Sequence, residues 1–81
     1  MTEETILARI NELIEEENGE AIDANTPIID SGVDSFGITM IFVELDTEYE
    51  VYPKEEFKNI QFETITPADV IDKVMSKYGS K

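Results

Sequence analysis

Cysteine and histidine are both absent from this sequence of 81 residues. Without cysteine, the chain can form neither disulfide bonds nor thiolate metal sites, and packing alone must hold it together. Without histidine, it lacks the side chain that most often acts as a general base. Because the sequence also lacks a secretory signal and an apolar run of membrane length, we predict a cytoplasmic protein that does not insert into a membrane.

Positive charge is also scarce. Six basic residues stand against 19 acidic ones, which gives a net charge of −13. No base occurs between Ile10 and Pro53, so the surface of that stretch is predicted to be continuously negative. Such a field makes nucleic acid and anionic membranes poor partners and basic protein surfaces good ones. Solubility alone is the competing explanation of the charge.

The length, with 41% hydrophobic and 31% charged residues, is typical of one folded domain, here residues 1–81. The segment from Thr2 to Glu17 has apolar residues at helical spacing and predicts an amphipathic helix, with Thr2 as its N-cap. Asn18 and Gly19 are predicted to end this helix, with Gly19 in the left-handed cap position.

A long connection, Glu20 to Asp34, follows the first helix. Connections of this length in compact domains are usually functional or are packed by their own side chains. The apolar residues that can attach it to the core are Ile22, Ile28, Ile29 and Val33.

The second helix is predicted from Ser35 to Tyr49, and its apolar residues form two stripes. The core stripe consists of Ile38, Ile41, Phe42, Leu45 and Tyr49. The other, which we call the apolar strip, consists of Phe36, Met40 and Val43 and lies roughly opposite. Its acidic borders are Glu44 with Glu48 on one side and Asp46 with Glu50 on the other. The pattern leaves two interpretations open: the loop or another helix covers the strip, or it is an exposed docking surface.

Two further helices are predicted after the second. Val51-Tyr52-Pro53 is expected to be extended, and residues 54–59 a short helix. Thr66-Pro67-Ala68-Asp69 is typical of a helix start, with a capping threonine, a proline and an early acid. Lys73, Lys77 and Lys81 favour the end of that last helix. We therefore predict an all-α fold, a small bundle of three main helices plus one short helix, with a long first loop.

The motif Asp34-Ser35-Phe36-Gly37 places a serine where the second helix begins. Ser35 lacks a histidine partner, a lysine nearby in the sequence and a nucleophile-elbow glycine pattern, so we predict that it is not a hydrolase nucleophile. A distant lysine that folding brings close is the alternative left open. Asp30 and Asp34 do not have the spacing of a calcium loop, and no dedicated metal site is predicted. A phosphate ester on Ser35 would suit the positive end of the helix dipole. The alternative is that Ser35 or Asp34 is only an N-cap.

The order of these parts resembles that of the acyl and peptidyl carrier proteins over nearly the whole chain. The run Gly32-Val33-Asp34-Ser35-Phe36 matches the family's attachment motif. The resemblance implies a small acyl-carrier-like bundle in which Ser35 carries 4′-phosphopantetheine, transferred from coenzyme A by a phosphopantetheinyl transferase. The arm would hold an acyl or aminoacyl cargo as a thioester and would supply the only thiol.

Within the family, Phe36-Gly37 and Glu55-Glu56-Phe57 look more like D-alanyl carrier proteins and some stand-alone peptidyl carriers than like fatty-acid carriers. The partner-recognition residues so implied are Asp34, Phe36, Met40, Val43 and Asp46, with Glu48 or Glu50 as further acids. The implied partners are a loading ligase and an acyltransferase or synthase, each meeting a monomeric carrier.

The predicted core is lined by Ile41, Phe42, Leu45, Tyr49, Phe57, Ile60, Phe62, Ile65, Ile71 and Val74. The bulk of Phe42, Phe57 and Phe62 would limit the space for cargo and favour a short or aminoacyl group. The alternative function is a helical protein-interaction module that uses the apolar strip without any prosthetic group.

Overall fold

Helix α1 spans Glu3–Glu16, close to the predicted bounds, in a computed structural model that describes residues 2–78. The Thr2 hydroxyl accepts a hydrogen bond from the Thr5 N–H at 3.1 Å, so Thr2 is the predicted N-cap. The end of the helix differs from the prediction. Asn18, with φ of 70°, takes the left-handed conformation, and Gly19 does not. Asparagine tolerates this conformation better than most residues, so the prediction for Gly19 was wrong.

The Asn11 side chain of α1 forms two hydrogen bonds to the first loop. The Asn11 amide donates to the Ile22 carbonyl at 3.0 Å and accepts from the Ile22 N–H at 2.9 Å. The loop also contains a short 3₁₀ helix, Ile28–Ser31, which the sequence pattern did not predict. Ile28 is buried there, whereas Ile29 is 40% exposed, so Ile29 does not attach the loop to the core as predicted.

Helix α2 spans Ser35–Tyr49, as predicted. It ends at Glu50, which has φ of 58° and whose N–H donates to the Asp46 carbonyl at 2.8 Å. Tyr52 is also left-handed, with φ of 57°, and the prediction of an extended segment was wrong at this residue. Its ring is buried against the core, and that burial offsets the unfavourable backbone conformation.

A 3₁₀ helix, Lys54–Asn59, and helix α3, Pro67–Tyr78, complete the fold. The start of α3 is a reciprocal capping box. The Asp69 N–H donates to the Thr66 hydroxyl at 3.2 Å, and the Thr66 N–H donates to the Asp69 carboxylate at 3.0 Å. Lys77 lies in the last turn, as predicted, and Lys81 lies outside the described residues.

Helix α1 packs against both α2 and α3, and residues 2–78 contain no strand. Phe42 is fully buried and meets Tyr52 and Phe62 edge to face, with ring centroids 5.1 and 5.5 Å apart. Four residues predicted for the core, Tyr49, Phe57, Ile60 and Phe62, are only partly buried around it. The all-α prediction is confirmed for the described residues, and no helix among them is long and apolar enough to cross a membrane.

The buried core consists of Ile6, Ile10, Leu13, Ile14, Ile28, Val33, Ile38, Ile41, Phe42, Leu45, Val51, Tyr52, Ile65, Val70, Ile71 and Val74. It therefore draws on all three α-helices and on the segments before and after α2.

Candidate functional site

Asp34 caps helix α2 and leaves Ser35 as the first helical residue. The Asp34 carboxylate accepts a hydrogen bond from the Gly37 N–H at 2.8 Å. Ser35 is exposed, and its carbonyl accepts from the Thr39 hydroxyl at 3.0 Å. Of the two capping residues that the sequence left open, Asp34 is the cap. The Ser35 side chain is thus accessible at the positive end of the helix dipole.

The turn that presents Ser35 is positioned by Val33, which is wedged between two glycines. A Cβ atom on Gly19 would lie 2.5 Å from the Val33 Cγ2 atom, and one on Gly37 would collide with Val33 Cγ1. The Glu17 side chain also lies beside Gly37, where the dipole of α2 favours negative charge. Gly37 is therefore required by packing, a role that the sequence motif alone did not reveal.

The apolar strip of α2 is exposed. The exposed fractions are 73% for Phe36, 36% for Met40 and 40% for Val43. Residues 2–78 therefore leave the strip open, and the interpretation that the loop or another helix covers it is wrong for this part of the chain. An apolar surface of this kind beside acidic side chains is typical of a docking site.

The acidic rim of the strip is smaller than the sequence indicates, because Glu48 is already bonded. The Arg9 Nε atom donates to both Glu48 carboxylate oxygens, at 2.8 and 3.0 Å, and a terminal guanidinium nitrogen also contacts Glu48. These bonds hold the pKa of Glu48 below its usual value and raise the pKa of Arg9 above its usual value. Glu48 thus joins α2 to α1, while Asp46, half-buried, and Glu44, exposed, remain beside the strip.

A cavity of about 170 Å³ opens next to Ser35. Its apolar walls are Ile29, Ile38 and Phe62, and its polar groups are Thr39, Glu63 and Ser35 itself. The cavity was not predicted, because Phe62 and Glu63 lie far from Ser35 in the sequence. The only signal in the sequence was that Phe62 falls in a connector where it could close the core.

Ser35 presents an exposed hydroxyl at the start of α2. The side chains that share the cavity with it include one carboxylate, Glu63, and no lysine. Residues 2–78 contain no group of three or more histidine, cysteine, aspartate or glutamate side chains placed to hold a metal ion.

Comparisons of the chain with protein-family models, with curated proteins and with solved structures gave no match. The resemblance of the motif around Ser35 to that of carrier proteins is therefore an expectation that rests on the residues themselves.

Proposed function

We propose that this chain is a carrier protein that bears 4′-phosphopantetheine on Ser35 and is not itself an enzyme. The arm holds an acyl or aminoacyl group as a thioester and presents it to partner enzymes in the cytoplasm. The observation that carries the proposal is an exposed serine at the first position of α2, followed on the same helix by an exposed apolar strip.

The residues around Ser35 fit the phosphate of this group. The first N–H groups of a helix have no partner within the helix. Asp34 binds the third of these, on Gly37, and leaves the N–H groups of Ser35 and Phe36 at the helix start. A phosphate there gains from those donors and from the helix dipole. Bound phosphopantetheine supplies the thiol that the cysteine-free chain lacks.

The proposed partners dock on the apolar strip. Phe36, beside Ser35, has the largest exposed fraction of the strip residues. Asp34 and Asp46 supply negative charge at the two ends of the strip. Because no base lies between Ile10 and Pro53, the complementary partner surface is apolar with a basic rim. A phosphopantetheinyl transferase, a loading ligase and an acyltransferase or synthase would each use this surface on a monomeric carrier.

Intact-mass measurement tests the proposal directly. The protein is incubated with coenzyme A and a phosphopantetheinyl transferase of broad specificity, and it should gain the mass of one phosphopantetheinyl group. The variant Ser35→Ala should show no gain. Ser76→Ala, which alters another exposed helical serine, should behave as the wild type. A folded wild-type protein that shows no gain would refute the carrier function.

That refuting result would favour the second candidate, a helical interaction module that needs no prosthetic group. The exposure of Phe36, Met40 and Val43 supports this candidate as well. It predicts that the unmodified protein binds its partner and that Met40→Glu weakens the complex while Ser35→Ala does not.

A further inference from the structure

The geometry points to an occupant for the cavity beside Ser35: the branched segment of the prosthetic arm that lies next to the phosphate. The proposal rests on the carrier function above and goes beyond it, since it assigns the cavity to the arm and not to the cargo. The segment consists of a quaternary carbon with two methyl groups, followed by a carbon that bears a hydroxyl and then an amide.

The size of the cavity suits this segment. An apolar cavity of about 150 Å³ accepts a benzene-sized group of about six non-hydrogen atoms. The cavity here is about 170 Å³ and has the apolar walls Ile29, Ile38 and Phe62. The dimethyl carbon with its nearest neighbours is of that size, and its two methyl groups are apolar. By contrast, pockets that enclose a drug-sized molecule measure roughly 300–1,000 Å³, so a long acyl chain would not fit without rearrangement.

The position of Ser35 decides between arm and cargo. Ser35 is itself part of the cavity lining, so the segment next to the attachment point is the part of the arm that lies nearest the cavity. The cargo sits at the opposite end of the arm. For the cargo to enter the core beyond the cavity, Phe62 would have to move away from Phe42. The two rings lie edge to face with a centroid distance of 5.5 Å.

Two polar side chains of the cavity match the polar groups of the segment. The Glu63 carboxylate accepts hydrogen bonds, and the arm offers a hydroxyl and an amide N–H next to its dimethyl carbon. The Thr39 hydroxyl already donates to the Ser35 carbonyl, so its oxygen is left to accept another bond. The walls therefore fit the methyl groups, and Thr39 and Glu63 fit the groups that follow.

The experiment uses the modified protein without cargo, with its modification verified by mass. Nuclear Overhauser contacts are measured between the two methyl groups of the arm and the methyl groups of Ile29 and Ile38 or the ring of Phe62. We expect these contacts, together with a higher melting temperature for the modified protein than for the unmodified one.

A matched pair of variants separates the cavity from the rest of the first loop. Ile29→Ser removes one wall of the cavity, and Ile22→Ser makes the same change at a partly buried isoleucine of the loop that does not line the cavity. The first variant should lose the contacts and most of the melting-temperature increase, and the second should keep both.

Two results would overturn the assignment: complete modification without any arm contact to the cavity residues, or contacts that appear only after loading and come from the cargo. Failure of the carrier function itself would be seen earlier, as a missing mass gain.

Discussion

Replacing Gly37 with alanine tests the packing that positions Ser35. Alanine is favoured over glycine in a helix interior by about 1 kcal/mol. Here the added methyl group would collide with Val33 Cγ1, and overpacking of a buried site costs about 1–3 kcal/mol. We therefore expect Gly37→Ala to lower the free energy of unfolding by up to about 2 kcal/mol, although an exposed helical position would gain stability.

Because of this collision, the effects of Gly37→Ala and Val33→Ala on the free energy of unfolding should not add. Val33→Ala alone removes two buried methyl groups and should cost about 2 kcal/mol, from transfer at about 0.8 kcal/mol per group and a cavity contribution. In the double variant, the new methyl group of residue 37 occupies part of the space that Val33 leaves. The double variant should thus be at least about 1 kcal/mol more stable than the sum of the single changes indicates.

Urea unfolding of the wild type, the two single variants and the double variant, monitored by circular dichroism, measures this coupling free energy. A second cycle with Val70→Ala in place of Val33→Ala is the control. Val70 is a buried valine of α3 and is not among the three atoms nearest to a Cβ atom on Gly37. The combination of Val70→Ala with Gly37→Ala should be additive. If the Gly37–Val33 pair is also additive to within about 0.5 kcal/mol, the wedge of Val33 between the two glycines does not contribute as described.

Three further outcomes are expected. A double-mutant cycle with Arg9→Met and Glu48→Gln should give a coupling of about 1 kcal/mol near neutral pH. Because the pair lowers the folded-state pKa of Glu48, the coupling should be lost as pH falls through that lowered value, and a coupling that is constant down to strongly acidic pH would contradict the pairing. Burial raises the pKa of Tyr52 to about 12, so an absorbance titration should show one tyrosine ionising there, and Tyr52→Phe should remove that step. Since the folded state holds this proton more tightly, stability should fall as pH rises from about 10 towards that value. Finally, added salt should raise the melting temperature, because it screens the self-repulsion of a chain with net charge −13; an unchanged melting temperature would be evidence against this repulsion.

Local signals predicted most of the helical structure. Asp34 and the capping box of Thr66 and Asp69 mark helix starts through hydrogen bonds within a few residues, which a sequence displays directly. The error at Tyr52 occurred where tertiary packing decides the backbone. Tyr52 is left-handed while its ring is packed against Phe42, a contact that no local pattern contains.

The candidate site was predictable only in part, for a related reason. Periodicity separated the two apolar stripes of α2, but it could not decide whether the strip opposite the core is covered or exposed. The exposure of the apolar strip became clear only from the positions of the loop and α3. Likewise, the pairing of Arg9 with Glu48 joins residues 39 positions apart, and the cavity beside Ser35 depends on Phe62 from a distant connector.

Two backbone hydrogen bonds connect the first loop to the segment around the start of α3. The Ile28 N–H donates to the Ile65 carbonyl at 2.9 Å, and the Ala68 N–H donates to the Ala24 carbonyl at 2.8 Å. Both bonds break when the two segments separate, so we expect the two amides to exchange with solvent together. For the proposed carrier, these bonds would couple the segment that an approaching enzyme meets before Ser35 to the packing of α3.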